Sequence, residues 1–200
     1  MPTWKEVTSA NPAHSHNFAR RWKTLEAEGT DIHGEARLAD AMSERGSRIL
    51  DAGCGTGRVG GELIRRGHDV TGIDVDPILI DYATKDHPDG KWIVGDLSSD
   101  PLPESAFDLA VCAGNVMGFV AIEGRKPALE NLFTSLKPGG RLVVGFGSGR
   151  GWDFTDFLAM AEECGFRVDS TFSSWDLKRF TDNSTFLVAI LSHPGAGLIS

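Results

Sequence analysis

Cysteine is scarce. Cys54, Cys112 and Cys164 are the only three, widely spaced and without a C-x-x-C pair. An odd, scattered set excludes a disulfide framework and a zinc knuckle, and suits a reduced, intracellular chain. Six histidines form no H-x-x-x-H pair; "HSH" (His14–His16) is at most half a metal site and reads better as a mobile terminus, so no metal is expected. No basic run stands out either. The densest, "ARRWK" (Ala19–Lys23), is short enough to be a solvated helix face. With a net charge of −8, this argues against a nucleic-acid partner. No stretch approaches the ~18 apolar residues of a membrane span. The opening "MPTWKEVTSANPAHSH" lacks the apolar segment of a signal peptide. A cytoplasmic chain with no membrane partner is the expectation. Repeats and low-complexity linkers are missing, and the oligomeric state is not legible.

The chain has 200 residues, 40% of them hydrophobic, enough for one domain with its own core. Two N-terminal helices are expected. The first spans about 15–28, with Phe18, Trp22 and Leu25 at i, i+4, i+7. The second spans about 34–45, with Leu38 and Met42 on one face and Gly46 as its stop. From about residue 47, short apolar runs alternate with helical patterns, the signature of βαβ units and a parallel sheet. Strands are read at Arg48–Gly53, Asp69–Asp74, Lys91–Asp96, Phe107–Asn115 and Arg141–Gly147, the last following a "KPGG" stop (Lys137–Gly140). The runs "FRVDSTF" (Phe166–Phe172) and "TFLVAILS" (Thr185–Ser192) are joined too closely for a comfortable helical crossover and predict an antiparallel hairpin. The expected organisation is a helical lid segment over 1–46, a ligand-binding domain over 47–192 and a frayed tail over 193–200.

"LDAGCGTGRVGG" (Leu50–Gly61) holds two overlapping motifs. Gly55, Gly57 and Gly60 spell G-x-G-x-x-G, a dinucleotide fingerprint. Asp51, Gly53, Gly55 and Gly57 spell D-x-G-x-G-x-G, which suits a nucleoside without a pyrophosphate. In either register the glycines admit a ligand close to the backbone, and the helix N-terminus favours an anionic group. Asp74, at the end of the second strand, can accept from two ribose hydroxyls in either case. Three features favour the second register. Asp51 would repel a pyrophosphate but attract a sulfonium or an ammonium. Asp96 sits at the tip of the third strand, where it can accept from an adenine amine. The terminal hairpin leaves no second mononucleotide-binding half. On this reading Gly60 is simply a small residue in the first helix after the loop.

"ILDAGCGTGRVGGELIRRGHDVTGIDVDPILIDYA" (Ile49–Ala83), "VGDLSSDPLPESAFDLAVCAGNVM" (Val94–Met117) and "LKPGGRLVVGFG" (Leu136–Gly147) together resemble the successive motifs of class I S-adenosylmethionine-dependent methyltransferases. The resemblance spans about residues 47–192. It implies an α/β fold: a Rossmann-like, doubly wound sheet of seven strands, mostly parallel with an antiparallel terminal hairpin, plus the N-terminal helices. It implies S-adenosylmethionine as cofactor and S-adenosylhomocysteine as product. Asp51, Gly53, Cys54, Gly55, Thr56 and Gly57 would wrap the methionine part and ribose, and Asp74 would hold the ribose hydroxyls. Val75 and Ile78 would cover the adenine, Asp96 would take its amine, and Leu97 would lie beside the ring. Ala113, Gly114 and Asn115 would end the strand toward which the reacting methyl points. The chain departs from the family there: "AGNVMGF" lacks the aromatic or proline-containing motif of many members. Trp22, with Phe18, is expected to cap the site, and Arg37 to approach the cofactor carboxylate. Arg150, Trp152 and Asp153 lie on the same edge. A helix-start position predicts a lowered thiol pKa for Cys54. No catalytic residue is assigned, and the expected acceptor is a small molecule. Two alternatives stay open: an NAD(P)-dependent oxidoreductase using Gly55–Gly60, and a non-catalytic S-adenosylmethionine binder.

Overall fold

The computed structural model describes residues 2–195. Three helices come first: α1 (Trp4–Ala10), α2 (His14–Ala27) and α3 (Gly34–Ala41). The second and third match the expected amphipathic segments. The first was not anticipated, because its seven residues bury none of their number and so carry no apolar stripe. It starts on a capping box. The Thr3 hydroxyl accepts from the Glu6 amide, and the Glu6 carboxylate accepts from the Thr3 amide. His14 and His16 belong to the first turn of α2 rather than to a mobile terminus.

Alternating β and α units follow: β1 (Arg48–Ala52), α4 (Arg58–Arg65), β2 (Asp69–Asp74), α5 (Pro77–Asp86), β3 (Lys91–Val94), β4 (Phe107–Cys112) and a one-turn α6 (Val116–Phe119). Then come α7 (Arg125–Ser135), β5 (Leu136–Gly147), α8 (Phe154–Glu163), β6 (Arg167–Phe172) and β7 (Phe186–Ser192). The seven strands form one sheet in the order β3-β2-β1-β4-β5-β7-β6. The first five are parallel, and β7 runs antiparallel between β5 and β6. The expected seven-stranded doubly wound fold with its antiparallel hairpin is therefore present.

Period-2 alternation sorts the strand residues between two apolar cores. Leu50, Ala110, Val144 and Ala189 join the core beneath α7 and α8. Their neighbours Ile49, Leu109, Val143 and Val188 join the core that includes Ala36 and Ala39 of α3 and Val59 and Leu63 of α4. Strand ends differ from expectation at β3, β4 and β5. The Lys137–Gly140 "stop" is the first part of β5, where Phe107 pairs with Leu136 before the register shifts at Leu109. A bulge hides a strand from a period-2 reading. The expected fray does not begin at His193. Its amide donates to the Gly140 carbonyl at 2.8 Å and its ring stacks on Phe133 with centroids 4.0 Å apart. Residues 196–200 of the expected tail lie outside the described residues. Among the described residues no helix is long and apolar enough to cross a membrane.

Candidate functional site

Parallel order reverses between β1 and β4, so the loops after their carboxyl ends diverge and leave a crevice. A cavity of about 310 Å³ lies there, walled by the loops after β1, β2, β3 and β4 and roofed by α1 and α2.

The floor is the glycine turn. Gly53, Gly55 and Gly57 all have positive φ, of 77°, 54° and 75°. At Gly53 the requirement is steric as well, since a Cβ would lie 2.3 Å from Val116 Cγ2. Gly60 is an ordinary residue of α4, and a Cβ there would meet Trp92 at 2.8 Å and Asp51 at 3.0 Å. The left-handed positions thus follow the D-x-G-x-G-x-G register, and Gly60 serves packing.

Two carboxylates close the floor. Asp51, at the end of β1, is 2% exposed, and its Oδ2 accepts from the Gly60 amide at 2.8 Å. Burial pushes its pKa up to about 7, against the pull of the Gly60 amide and Arg58. Asp74, at the end of β2, accepts from the Gly55 amide at 2.8 Å through Oδ2 and from the Asp76 amide at 2.9 Å through Oδ1. Burial raises it to about 6, opposed by those amides. Asp76 is the N-cap of α5, accepting from the Ile78 amide at 2.9 Å, which leaves Asp74 free to face the cavity.

A third carboxylate stands at the far rim. Asp96 Oδ1 accepts from the Ser98 amide at 3.0 Å and the Ser98 hydroxyl at 2.5 Å; Oδ2 accepts from Lys5 Nζ at 2.9 Å. Burial works to raise its pKa, but Ser98 and Lys5 hold it below the ordinary carboxylate range.

The roof is aromatic. Trp4 Nε1 donates to Asp76 Oδ2 at 2.7 Å, and its ring meets Phe18 and Phe119 edge-on at 5.5 and 5.4 Å. Phe18 also lies over Gly55. Trp22 stacks under the Arg58 guanidinium, 4.0 Å from the ring centroid. Arg58 in turn makes a two-point bridge to Glu35 at 2.7 and 3.0 Å and donates to the Ile32 carbonyl.

Among the residues expected at the site, Asp51, Gly53, Cys54, Gly55, Thr56, Asp74, Val75, Asp96, Leu97, Ala113, Gly114 and Trp22 line this cavity. Three expected residues do not. Gly57 is the N-cap position of α4, between the lining residues Thr56 and Arg58, and a Cβ there would face Trp92, Ala83 and His87 instead. Ile78 is half-buried outside the wall, and Leu79, the next residue of α5, lines the cavity instead. Asn115 sits at φ 65° with its Oδ1 accepting from the Gly147 amide at 2.8 Å, tying the end of β4 to the end of β5.

Other expectations are corrected. Arg37 is exposed and pairs with Asp31 at 2.6 Å; Arg58 is the arginine in the wall. Trp152 is 3% exposed and packs on Phe157, and Asp153 caps α8 through the Thr155 amide at 2.8 Å. The Cys54 thiol is pushed up by burial rather than lowered, with Asp51 and Asp74 adding to the rise. Trp4, Lys5, Phe119, Val120 and Ala121 were missed. The Thr3–Glu6 capping box was the one signal that a helix began beside Trp4. Among the described residues no group of three or more His, Cys, Asp or Glu could hold a metal ion.

Residues 49–140 match the family described as "Methyltransferase domain". A solved structure described as a TehB-like SAM-dependent methyltransferase from Corynebacterium glutamicum is 59% identical. The alignment covers 92% of this chain and 100% of that one, with a TM-score of 0.89. A malonyl-[acyl-carrier protein] O-methyltransferase of Pectobacterium atrosepticum is 32% identical over 60% of this chain and 46% of its own. A demethylmenaquinone methyltransferase of Paenarthrobacter aurescens is 28% identical over 67% of this chain and 47% of its own. The chain thus spans about half the length of the curated relatives it matches.

Proposed function

Because the chain belongs to the S-adenosylmethionine-dependent methyltransferases, we propose that it moves the cofactor's methyl group to a small-molecule acceptor within the cavity over β1–β4. The observation that carries this is the placement of Asp51, Asp74 and Asp96. Three carboxylates from the ends of three neighbouring parallel strands line one cavity. That set of acceptors suits a ligand with a cation and several hydroxyl and amine donors, and repels a pyrophosphate. The same repulsion, and membership of the methyltransferase family, count against the oxidoreductase reading.

In this reading the turn from Gly53 to Gly57 lies against the methionine part, and Asp51 faces its positive end. Asp74 accepts from the ribose hydroxyls. Val75 and Leu79 cover the adenine, Leu97 lies beside it and Asp96 accepts from its amine. S-adenosylmethionine supplies a methyl carbon already activated by its sulfonium. The chain's own task is alignment, which can supply ~7–11 kcal/mol, and exclusion of water, for which the Trp4, Phe18 and Trp22 roof is suited. Ala113 and Gly114 follow β4 without a bulky side chain and leave the approach to the methyl open. Val116, Phe119, Val120 and Ala121 beyond them carry no titratable group, so this wall removes no proton from the acceptor. A cavity of about 310 Å³ that also takes the cofactor is at the small end of ligand pockets, which favours a small acceptor.

Calorimetry with S-adenosylmethionine, S-adenosylhomocysteine and NADH tests the reading. Micromolar binding of the first two, none of the third, and transfer of a labelled methyl to a component of a metabolite extract are expected. No heat with S-adenosylhomocysteine refutes the site. Binding without transfer to any acceptor converts the chain into a sensor of the cofactor.

A further inference from the structure

Resting on the methyltransferase reading above, we infer that Trp4 is a specificity-determining residue that limits the acceptor to a compact molecule, no larger than one aromatic ring. The seat of that acceptor is the carbon-lined wall of Trp4, Val116, Phe119, Val120 and Ala121.

Volume comes first. The cavity of about 310 Å³ lies at the bottom of the ~300–1,000 Å³ range of ligand pockets, and cofactor and acceptor must share it.

Position comes second. Phe119 belongs to α6, which follows directly on Ala113 and Gly114, and it meets the Trp4 ring edge-on at 5.4 Å. The two rings join the N-terminal helix to the loop after β4, and the Trp4 indole reaches across to Asp76 just after β2. Any acceptor reaching toward Ala113 and Gly114 lies beneath them.

Rigidity comes third. Trp4 is held at both ends of its indole. Its Nε1 donates at 2.7 Å to Asp76, a buried carboxylate that also accepts from the Ser15 hydroxyl at 2.5 Å and the Ile78 amide at 2.9 Å. Its ring is wedged edge-on against His14, Phe18 and Phe119, with centroids at 5.0, 5.5 and 5.4 Å. A ring clamped by a hydrogen bond to a buried carboxylate and three aromatic neighbours is a wall and not a swinging door. The neighbouring Lys5–Asp96 pair has an exposed lysine, 65% open, and adds little hold.

The test is calorimetry on the full chain, first with S-adenosylhomocysteine and then, on the loaded protein, with phenol and 2-naphthol as probes of one and two fused rings. Phenol is expected to bind the wild type, and 2-naphthol about tenfold or more weakly, because overfilling a clamped pocket is costly. Trp4→Ala should bring 2-naphthol level with phenol. Trp4→Phe, which keeps a ring but not the donor to Asp76, should narrow the gap part of the way. A role for Trp4 in folding alone would weaken both probes in parallel and leave their ratio fixed. Equal binding of the two probes to the wild type, no binding of either to any of the proteins, or a ratio unmoved in both variants overturns the inference. If neither variant folds, the wild-type ratio decides. Failure of the methyltransferase reading appears earlier and separately, as absence of heat with S-adenosylhomocysteine before any probe is added.

Discussion

The Gly60 amide donates to Asp51 Oδ2 at 2.8 Å, joining the first residue of one overlapping glycine motif to the last residue of the other. The bond fixes the Asp51 carboxylate against the first turn of α4, where amides without helical partners and the helix dipole favour a negative group. It also explains why both motifs are legible in one stretch. The first glycines bend the chain, and the last lets the helix approach the strand it follows.

Gly60→Ala should destabilise the fold. A Cβ there would lie 2.8 Å from Trp92 Cη2 and 3.0 Å from both Asp51 Oδ2 and Val70 Cγ1. The Trp92 ring cannot yield easily: its Nε1 is bonded to the His87 carbonyl at 2.7 Å, and it already fills the space above Gly72 and Gly90. Overpacking of about 1–3 kcal/mol outweighs the ~1 kcal/mol that alanine gains over glycine inside a helix. Chemical denaturation measures the difference, and wild-type stability in the variant would show that Trp92 can move.

Asp74→Ala removes the acceptor shared by the Gly55 and Asp76 amides. If Asp74 also accepts from two ribose hydroxyls, S-adenosylhomocysteine affinity should fall by about a hundredfold or more, since hydrogen bonds to a charged group contribute about 1.5–3 kcal/mol each. Circular dichroism should stay that of the wild type, because the residue ends a strand and packs no core. Asp74→Asn, which keeps one acceptor oxygen, should fall between. Unchanged affinity in the alanine variant would remove Asp74 from the ligand's surroundings.

The strand-loop-helix stretches were legible because their signals are local. The run ending at Asp51, the glycines and the acid closing each strand occur within a few residues of each other, and parallel pairing then brings Asp51, Asp74 and Asp96 together without further information. The roof was half legible. Trp22 and Phe18 sit on a periodic helix, but Trp4 lies in a seven-residue helix with no apolar stripe, and its place over the cavity comes from a bond to Asp76 across 72 positions. Leu79 rather than Ile78 lines the cavity, and the sequence, apolar at both positions, does not rank the two. Arg37 and Arg58 could not be ranked from sequence, since Asp31 and Glu35, which claim them, are chosen by packing.

Glu35→Gln should loosen the roof from below. The Arg58 and Glu35 side chains are only 10% and 15% exposed, so the pair is largely shielded from water and its loss is felt. Arg58 would keep the Ile32 carbonyl and Trp22 as partners but lose its charged one. A loss of about 1–3 kcal/mol in stability is expected, with a change in tryptophan emission as Trp22 relaxes. A stability unchanged from wild type would mean that solvent compensates Arg58 fully.

Stability and cofactor binding should both respond to pH through Asp51 and Asp74. Their folded-state pKa values, about 7 and about 6, lie above the ~3.9 of an unfolded aspartate. Above about pH 5 and up to 7 the folded chain therefore holds more protons than the unfolded one, and the stability of the ligand-free protein falls as pH rises through that window and levels off above it; below it the carboxylates held low by their partners, Asp31, Asp40 and Asp96 among them, act in the opposite sense. Each unit by which a pKa is raised costs about 1.4 kcal/mol once the group is ionised. His87, whose pKa is lowered by burial, works in the opposite direction and reduces the slope. A cation placed against Asp51 stabilises the ionised form, so S-adenosylmethionine should bind more tightly as pH rises toward 7 and should release protons below it. Titrations at pH 6 in buffers of different ionisation enthalpy count those protons, and Tm scans from pH 5 to 8 follow the stability. Asp51→Asn keeps an acceptor for the Gly60 amide but cannot ionise. It should raise the ligand-free Tm at pH 8, weaken S-adenosylmethionine and diminish the proton release. Binding that releases no protons in the wild type would show that Asp51 is already ionised and matched by charge within the fold.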